Sequence, residues 1–290
     1  MDVELVLDAK ATLGEGAIWH AREKRLYWVD IEPGRLHVFN PLDGSDVVFE
    51  LGQMVGTVVP RARGGVMLAL QHGFAAFDPQ TGRLQPWCDP EEQLPRNRFN
   101  DGKCDPVGRF WAGTINLDRE PRAARLYCLE PDGRVHARLE GVTNSNGIAW
   151  SLNHATLYFI DTPTRQVTAF DYDLATGGLG NARTAITVPA NSGKPDGMTI
   201  DAQGMLWIAH WEGGCVGRWD PHSGALLATV SVPARRVTSC AFGGPNLDEL
   251  YITTARIGLA ESDLALQPHA GGLFRARPGV GGVPAFEFAG

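Results

Sequence analysis

The sequence has no apolar run of transmembrane length, no CxxC pair and no basic stripe. It also lacks any helix-length stretch with a sustained 3.6-residue apolar period, so a helical fold is excluded. Without a long apolar run, no membrane partner is expected. The N-terminus, MDVELVLDAK, has no basic segment leading into an apolar one, so no signal peptide is expected. Cys88, Cys104, Cys128, Cys215 and Cys240 are odd in number and far apart. That usage reads as reduced thiols in a cytoplasmic protein. A formal net charge of -7 argues against nucleic acid. The pair Arg235-Arg236 reads as ordinary surface charge. There is no GxSxG elbow, no HExxH, no P-loop and no GxGxxG after a strand. Serine-nucleophile, histidine-zinc and nucleotide chemistry therefore have no support, and any hydrolysis would have to be metal-assisted. Cys104 reads as a buried strand thiol rather than a nucleophile.

What the chain does have is turns: 35 glycines and 19 prolines in 290 residues. Between them lie short strand-like segments with a large apolar centre: RLYWVDI, GGVMLALQ, GRFWAGTI, ATLYFIDT, GMLWIAHW and ELYITTAR. Their centres, Trp28, Met67, Trp111, Tyr158, Trp207 and Tyr251, are spaced by 39, 44, 47, 49 and 44 residues. A period in the forties built of short strands is the mark of a β-propeller. Each unit reads as strand, turn, strand, loop, strand, turn, strand. The expected fold is all-β: a six-bladed β-propeller of four-stranded antiparallel blades, forming a single domain over residues 1–290. MDVELVLDA is expected to close the last blade as its outer strand. RIGLAESDLALQPH, residues 256–269, is the best helical segment and falls in a loop of the sixth unit.

The first strand of every blade lines the central channel, so residues at its start form a ring. Those positions hold Glu15 before Gly16, Asn100 and Asp101 before Gly102, Asn146 before Gly147, and Asp196 before Gly197. Val55-Gly56 and Thr238-Ser239 are weaker equivalents. Asn-Gly and Asp-Gly usually announce hairpin turns. Here each is followed by an apolar strand and then by a separate turn such as Asp105-Pro106-Val107-Gly108. Clustered buried carboxylates repel one another unless paired. A divalent cation resolves that repulsion, and oxygen-only donors suit Ca, Mg, Mn, Zn or Fe(II). The glycines let backbones converge near the axis. Loops after the second strand overhang the same mouth. They offer Asp30, Asn116, Arg119, Glu120, Asp161, His210, Trp211 and Arg256, with His210 and Trp211 as an aromatic pair that could pack on a sugar ring.

At this point the sequence resembles the gluconolactonase/senescence-marker-protein (regucalcin-like) family of sugar lactonases. LGEGAIW, RFNDGKCDPVGRFWAGT, SNGIAWS, FDYDLATG, PDGMTIDAQGMLWIA, SCAFGG and AGGLFR carry the resemblance, in order and almost end to end. It implies one divalent metal ion in the channel and hydrolysis of a small-molecule sugar lactone to the open-chain acid. By motif, Glu15, Asn146 and Asp196 match the metal ligands, and Arg98 and Asn100 match substrate-holding residues. The family's carboxylate in the loop after GRFWAGT has only Glu120 as a possible equivalent, because INLDREPRAARLY is shorter. On that reading, Asp196 is the expected general base, with Asp101 as second choice. Two other readings share the site: a calcium-binding regulatory propeller without catalysis, and a metal-dependent esterase acting on another lactone or a phosphotriester. A monomer or weak homo-oligomer is expected.

Overall fold

A computed structural model describes residues 2–290. The chain forms six four-stranded antiparallel sheets arranged as a six-bladed β-propeller. The chain opens with β1 (Val3–Leu7). Blade one follows as β2 (Gly14–His20), β3 (Arg25–Asp30), β4 (Arg35–Phe39) and β5 (Asp46–Glu50). Blade two is β6 (Val55–Pro60), β7 (Val66–Leu70), β8 (Gly73–Asp78) and β9 (Arg83–Cys88). Blade three is β10 (Asn97–Cys104), β11 (Phe110–Asn116), β12 (Ala124–Leu129) and β13 (Val135–Val142). Blade four is β14 (Ser145–Trp150), β15 (Thr156–Asp161), β16 (Gln166–Asp173) and β17 (Gly178–Thr187). Blade five is β18 (Lys194–Ile200), β19 (Leu206–Trp211), β20 (Cys215–Trp219) and β21 (Leu226–Ser231). Blade six is β22 (Val237–Gly243), β23 (Glu249–Thr254) and β24 (Leu273–Ala276), completed by β1 on its outer edge. The ring is thus closed by strands from both ends of the chain, as the sequence led us to expect. The helix α1 (Glu261–Leu266) lies in the loop between β23 and β24. No helix among the described residues is long and apolar enough to cross a membrane.

The apolar centres of the repeat sit on the second strand of each blade. Trp28, Met67, Trp111, Trp207 and Tyr251 are fully buried, and Tyr158 is nearly so. Inner strands are covered on both faces and therefore read as near-continuous apolar runs. The outermost strands of blades one to five are half exposed. The apolar clusters lie between neighbouring blades: Trp111 with Trp150 and Tyr172 joins blades three and four, and Trp207 with Phe242 joins blades five and six. Burial between blades leaves the axis itself to polar groups.

Two turns that read as simple loops also act as locks. Asp105, fully buried, accepts from Trp111 Nε1 (3.0 Å), Tyr172 Oη (2.6 Å), Arg109 Nε (2.5 Å) and the backbone N–H groups of Val107 and Arg109. Asp201 repeats the device in blade five, with Trp207 Nε1 at 3.0 Å, Arg218 Nε at 2.8 Å and the N–H groups of Gln203 and Met205. Each carboxylate ties a turn to the aromatic centre of its own blade.

The Asn-Gly and Asp-Gly steps are not turns. Every inner strand loses register with its neighbour at the ring position, a β-bulge that bends the strand and re-aims side chains. In blades one, three, four and five the break skips two residues: Gly16-Ala17, Asn100-Asp101, Asn146-Gly147 and Asp196-Gly197. In blades two and six it skips one, Gly56 and Thr238. The strands also begin before the ring rather than at it, so Asn100 and Asp101 sit in the middle of β10. Close approach explains two of the glycines. A Cβ on Gly56 would lie 2.5 Å from the Phe99 carbonyl of the next blade, and one on Gly147 would lie 2.6 Å from Met198 Cβ. Gly56→Ala is expected to destabilise the protein by about 1–3 kcal/mol through overpacking. An unchanged melting temperature would show that these backbones can separate freely.

Candidate active site at the channel mouth

The bulges of blades one, three, four and five deliver their polar side chains to one end of the channel. Glu15, Arg98, Asn100, Asn146 and Asp196 are all buried and all line a single cavity of about 460 Å³. Blades two and six bring no donor: Gly56 has no side chain, and Thr238 donates to Gly14 O of blade one. The opposite end of the channel is different in kind. There a largely apolar cavity of about 300 Å³ is lined by Trp19, Trp150, Phe242 and the C-terminal Val283–Phe286 stretch.

A chain of hydrogen bonds fixes the ring. Arg98 Nη1 donates to Phe99 O (2.9 Å) and to Asn100 Oδ1 (2.8 Å). That orients the Asn100 amide, whose Nδ2 donates to Ser145 O (2.7 Å) and toward Asn146 Oδ1 (3.3 Å). Asn146 Nδ2 donates to Thr162 Oγ1 (2.9 Å), which donates to Pro195 O (2.9 Å). Asn146 Oδ1 is therefore held as an acceptor with a lone pair to spare. Asn100, expected to touch substrate, already has both ends of its amide engaged, and its clearest action is to orient Asn146.

The carboxylates are strained electrostatically. Burial, then the charges of Asp196 and Asp101, push Glu15 well above the usual carboxylate range. Burial, then the charge of Asp101, does the same to Asp196. Burial raises Asp101 too, with Lys103 opposing. Burial lowers Arg98 to about 10, with Glu32, Glu15 and Asp196 resisting and Arg119 assisting. Asp196 Oδ1 and Asp101 Oδ2 are buried without a hydrogen-bond partner, as is Arg98 Nε. Asp101 does not line the cavity, and its Oδ1 accepts from Gly102 N at 2.7 Å. It acts on Asp196 through charge.

Among the described residues, no group of three or more His, Cys, Asp or Glu side chains is arranged to hold a metal. The set at the mouth is two carboxylates and a carboxamide, Glu15, Asp196 and Asn146. These residues fit a hard or borderline divalent cation. The donors are all oxygen, one carboxylate oxygen is buried and unpartnered, and the mutual repulsion of the carboxylates is what a cation relieves.

Several wall residues fall elsewhere than the sequence led us to expect. Glu120 is exposed and lines a separate shallow cleft with Asn97 and Asp118, while its neighbour Arg119 lines the mouth. His210 is turned into blade five: its Nδ1 lies 2.6 Å from Ser192 O and its ring stacks on Trp219. Only Trp211 of that pair faces the mouth. Asp30 and Asp161 accept from the backbone N–H groups leading into the inner strands, Leu13 and Asn144 among them, and so brace the loops. Asn116 pairs with Asn97 (2.9 Å). Arg236, read as surface charge, lines the mouth instead, its guanidinium 5.0 Å over Trp211 and its Nε 2.6 Å from Glu212. Thr162, Asn144 and Lys194 were not anticipated as wall residues.

Residues 13–256 match the model of the SMP-30/gluconolactonase/LRE-like region. The chain belongs to that family. It is 42% identical to a regucalcin of Danio rerio over 99% of this chain and 98% of that one. It is 38% identical to YvrE of Bacillus subtilis (strain 168), named as a candidate sugar lactone lactonase, over 100% of this chain and 99% of that one. Among solved structures, a calcium-binding regucalcin of Agrobacterium tumefaciens superimposes with a TM-score of 0.95 at 28% identity, covering 99% of this chain and 97% of the other. Membership of this family supports an enzymatic activity.

Proposed function

We propose that this family member hydrolyses a sugar lactone to its open-chain acid and depends on one divalent cation held by Glu15, Asn146 and Asp196. The observation that carries the reading is Asp196 Oδ1, a buried carboxylate oxygen without a partner on the wall of a polar cavity that also holds Arg98. When bound, such a cation would polarise the lactone carbonyl and stabilise the negative charge that develops on its oxygen. The chain's own residues supply the rest. Asp196 takes a proton from the attacking water as the new C–O bond forms. It returns that proton to the ring oxygen as the ring C–O bond breaks, leaving a hydroxyl and a carboxylic acid, which releases its remaining proton to solvent to become the carboxylate. Arg98, on the cavity wall, binds hydroxyl oxygens of the sugar. Asn100 holds Asn146 in its acceptor orientation. Asp101, below the cavity wall, sets the charge felt by Asp196. The five unpaired cysteines support a cytoplasmic site of action.

A calcium-binding propeller without turnover is the second reading. The oxygen-only donor set favours it, and so does the name of the Agrobacterium relative. One experiment separates the two. Chelated protein is assayed on a panel of aldonolactones with Ca, Mg, Mn, Zn and Fe(II) added back singly. Hydrolysis lost on chelation and restored by at least one ion supports the lactonase. Full turnover after chelation removes the metal-dependent mechanism. Tight calcium binding with no lactone hydrolysed under any ion selects the regulatory reading.

A further inference from the structure

The wall of the mouth carries more cations than the ring uses. Arg98, Arg119, Lys194 and Arg236 line the cavity against Glu15 and Asp196, in a chain whose formal net charge is -7. Arg236 is committed to Glu212, which also pairs with Arg235. Arg119 and Lys194 have neither an acidic partner nor a side-chain hydrogen bond among the described residues. They come from different blades, Arg119 from the loop after β11 and Lys194 from the first position of β18. Arg119 stands near enough to Arg98 for its charge to help lower the Arg98 pKa. Glu32, in the loop after β3, faces Arg98 from blade one but forms no ion pair with it among the described residues.

A neutral polyol gives such cations little. Its hydroxyls are served equally well by amides and carboxylates, whereas unpaired guanidinium and ammonium groups gain most from an anion. The carboxylate formed by hydrolysis does not account for them either. It arises at the carbonyl carbon, beside Glu15 and Asp196, and needs no cations on the surrounding wall. We propose that the preferred substrate is a sugar lactone bearing a second, permanently anionic group, carboxylate or phosphate, remote from the carbonyl, and that Arg119 and Lys194 select it. This rests on the lactone hydrolysis proposed above.

The test compares gluconolactone, phosphogluconolactone and glucarolactone on the metal-loaded protein and on the Arg119→Gln/Lys194→Gln double variant. At low ionic strength the better anionic lactone is expected to exceed gluconolactone in kcat/KM by at least about tenfold, in the range of electrostatic focusing. The advantage should shrink with salt. In the double variant the anionic-to-neutral ratio should fall about tenfold, with melting unchanged because both side chains are exposed. Preference for the phosphate or for the carboxylate names the group. A parent that hydrolyses gluconolactone as well as either anionic lactone overturns the proposal and leaves lactone hydrolysis standing. A second arm needs no turnover: calorimetric binding of gluconate, glucarate and phosphogluconate to the same two proteins. Tighter binding of the two acids that carry a second anionic group, lost in the variant, supports anion selection even if no lactone is hydrolysed. Equal binding of all three overturns it.

Discussion

Asp196→Asn should lose lactone turnover by at least about 10³-fold, yet melt higher than the parent when both proteins are metal-free at alkaline pH. The two effects have one cause. Glu15, Asp101 and Asp196 are buried together, and each is held above its ordinary pKa, first by burial. A carboxylate whose folded-state pKa is raised binds its proton more tightly in the folded chain than in the unfolded one. Its favourable contribution is complete below the unfolded value, near 4, and is lost as pH climbs toward the folded value. The metal-free parent should therefore weaken steadily from about pH 4 upward, and the variant, with one charge fewer, should weaken less. Cation binding should release protons and stabilise the parent most at high pH. Melting curves across pH in chelator, repeated with the activating ion, read all of this. A metal-free variant that melts below the parent at alkaline pH would show that Asp196 braces the fold rather than straining it.

Asp105→Ala should be the most destabilising single change outside the ring. Its carboxylate is fully buried and gathers donors from Trp111, Tyr172, Arg109 and two backbone N–H groups. Arg109 in turn donates to Leu174 O, so the same carboxylate underpins the joint between blades three and four. Removing it leaves a buried guanidinium uncompensated, at a cost of about 3–5 kcal/mol. For a chain of this size that is a fall in melting temperature on the order of 10 °C. Asp201→Ala should follow it, since Arg218 is left in the same position. Asp105→Asn, which keeps an acceptor, should lose less. A loss under about 1 kcal/mol would mean that water replaces the carboxylate without penalty.

Much of this was legible in the chain because the repeat has a physical cause. The second strand of each blade is buried on both faces, so its centre must be large and apolar whatever the loops do. The ring was legible for a related reason, a polar residue before glycine where a hairpin would leave no strand. What the sequence hid was the bulge. That irregularity spans two residues in the four blades that present a polar side chain at the mouth and one in the others. His210 and Trp211 are a different case. Neighbours on a strand point to opposite faces, so only one of them could reach the mouth. Arg119 has a φ of 61°, a left-handed turn that separates it from Glu120. Nothing in the local sequence marks that turn. Arg236 carried no repeat signal at all, because its place depends on Glu212 across a loop.

The pairing of β1 with β24 makes a seam where the first and last parts of the chain meet, and Leu13 bridges to Ala255 beside it. The expected donors straddle this seam: Glu15 lies on one side of it, with Asn146 and Asp196 reached around the other. A molecule that unzips at the seam would separate Glu15 from its two companions in the same movement. On the proposed reading, ion release and ring opening would be a single event, and a cation held by these residues would act as a clasp on the closed circle, setting how long each molecule lasts.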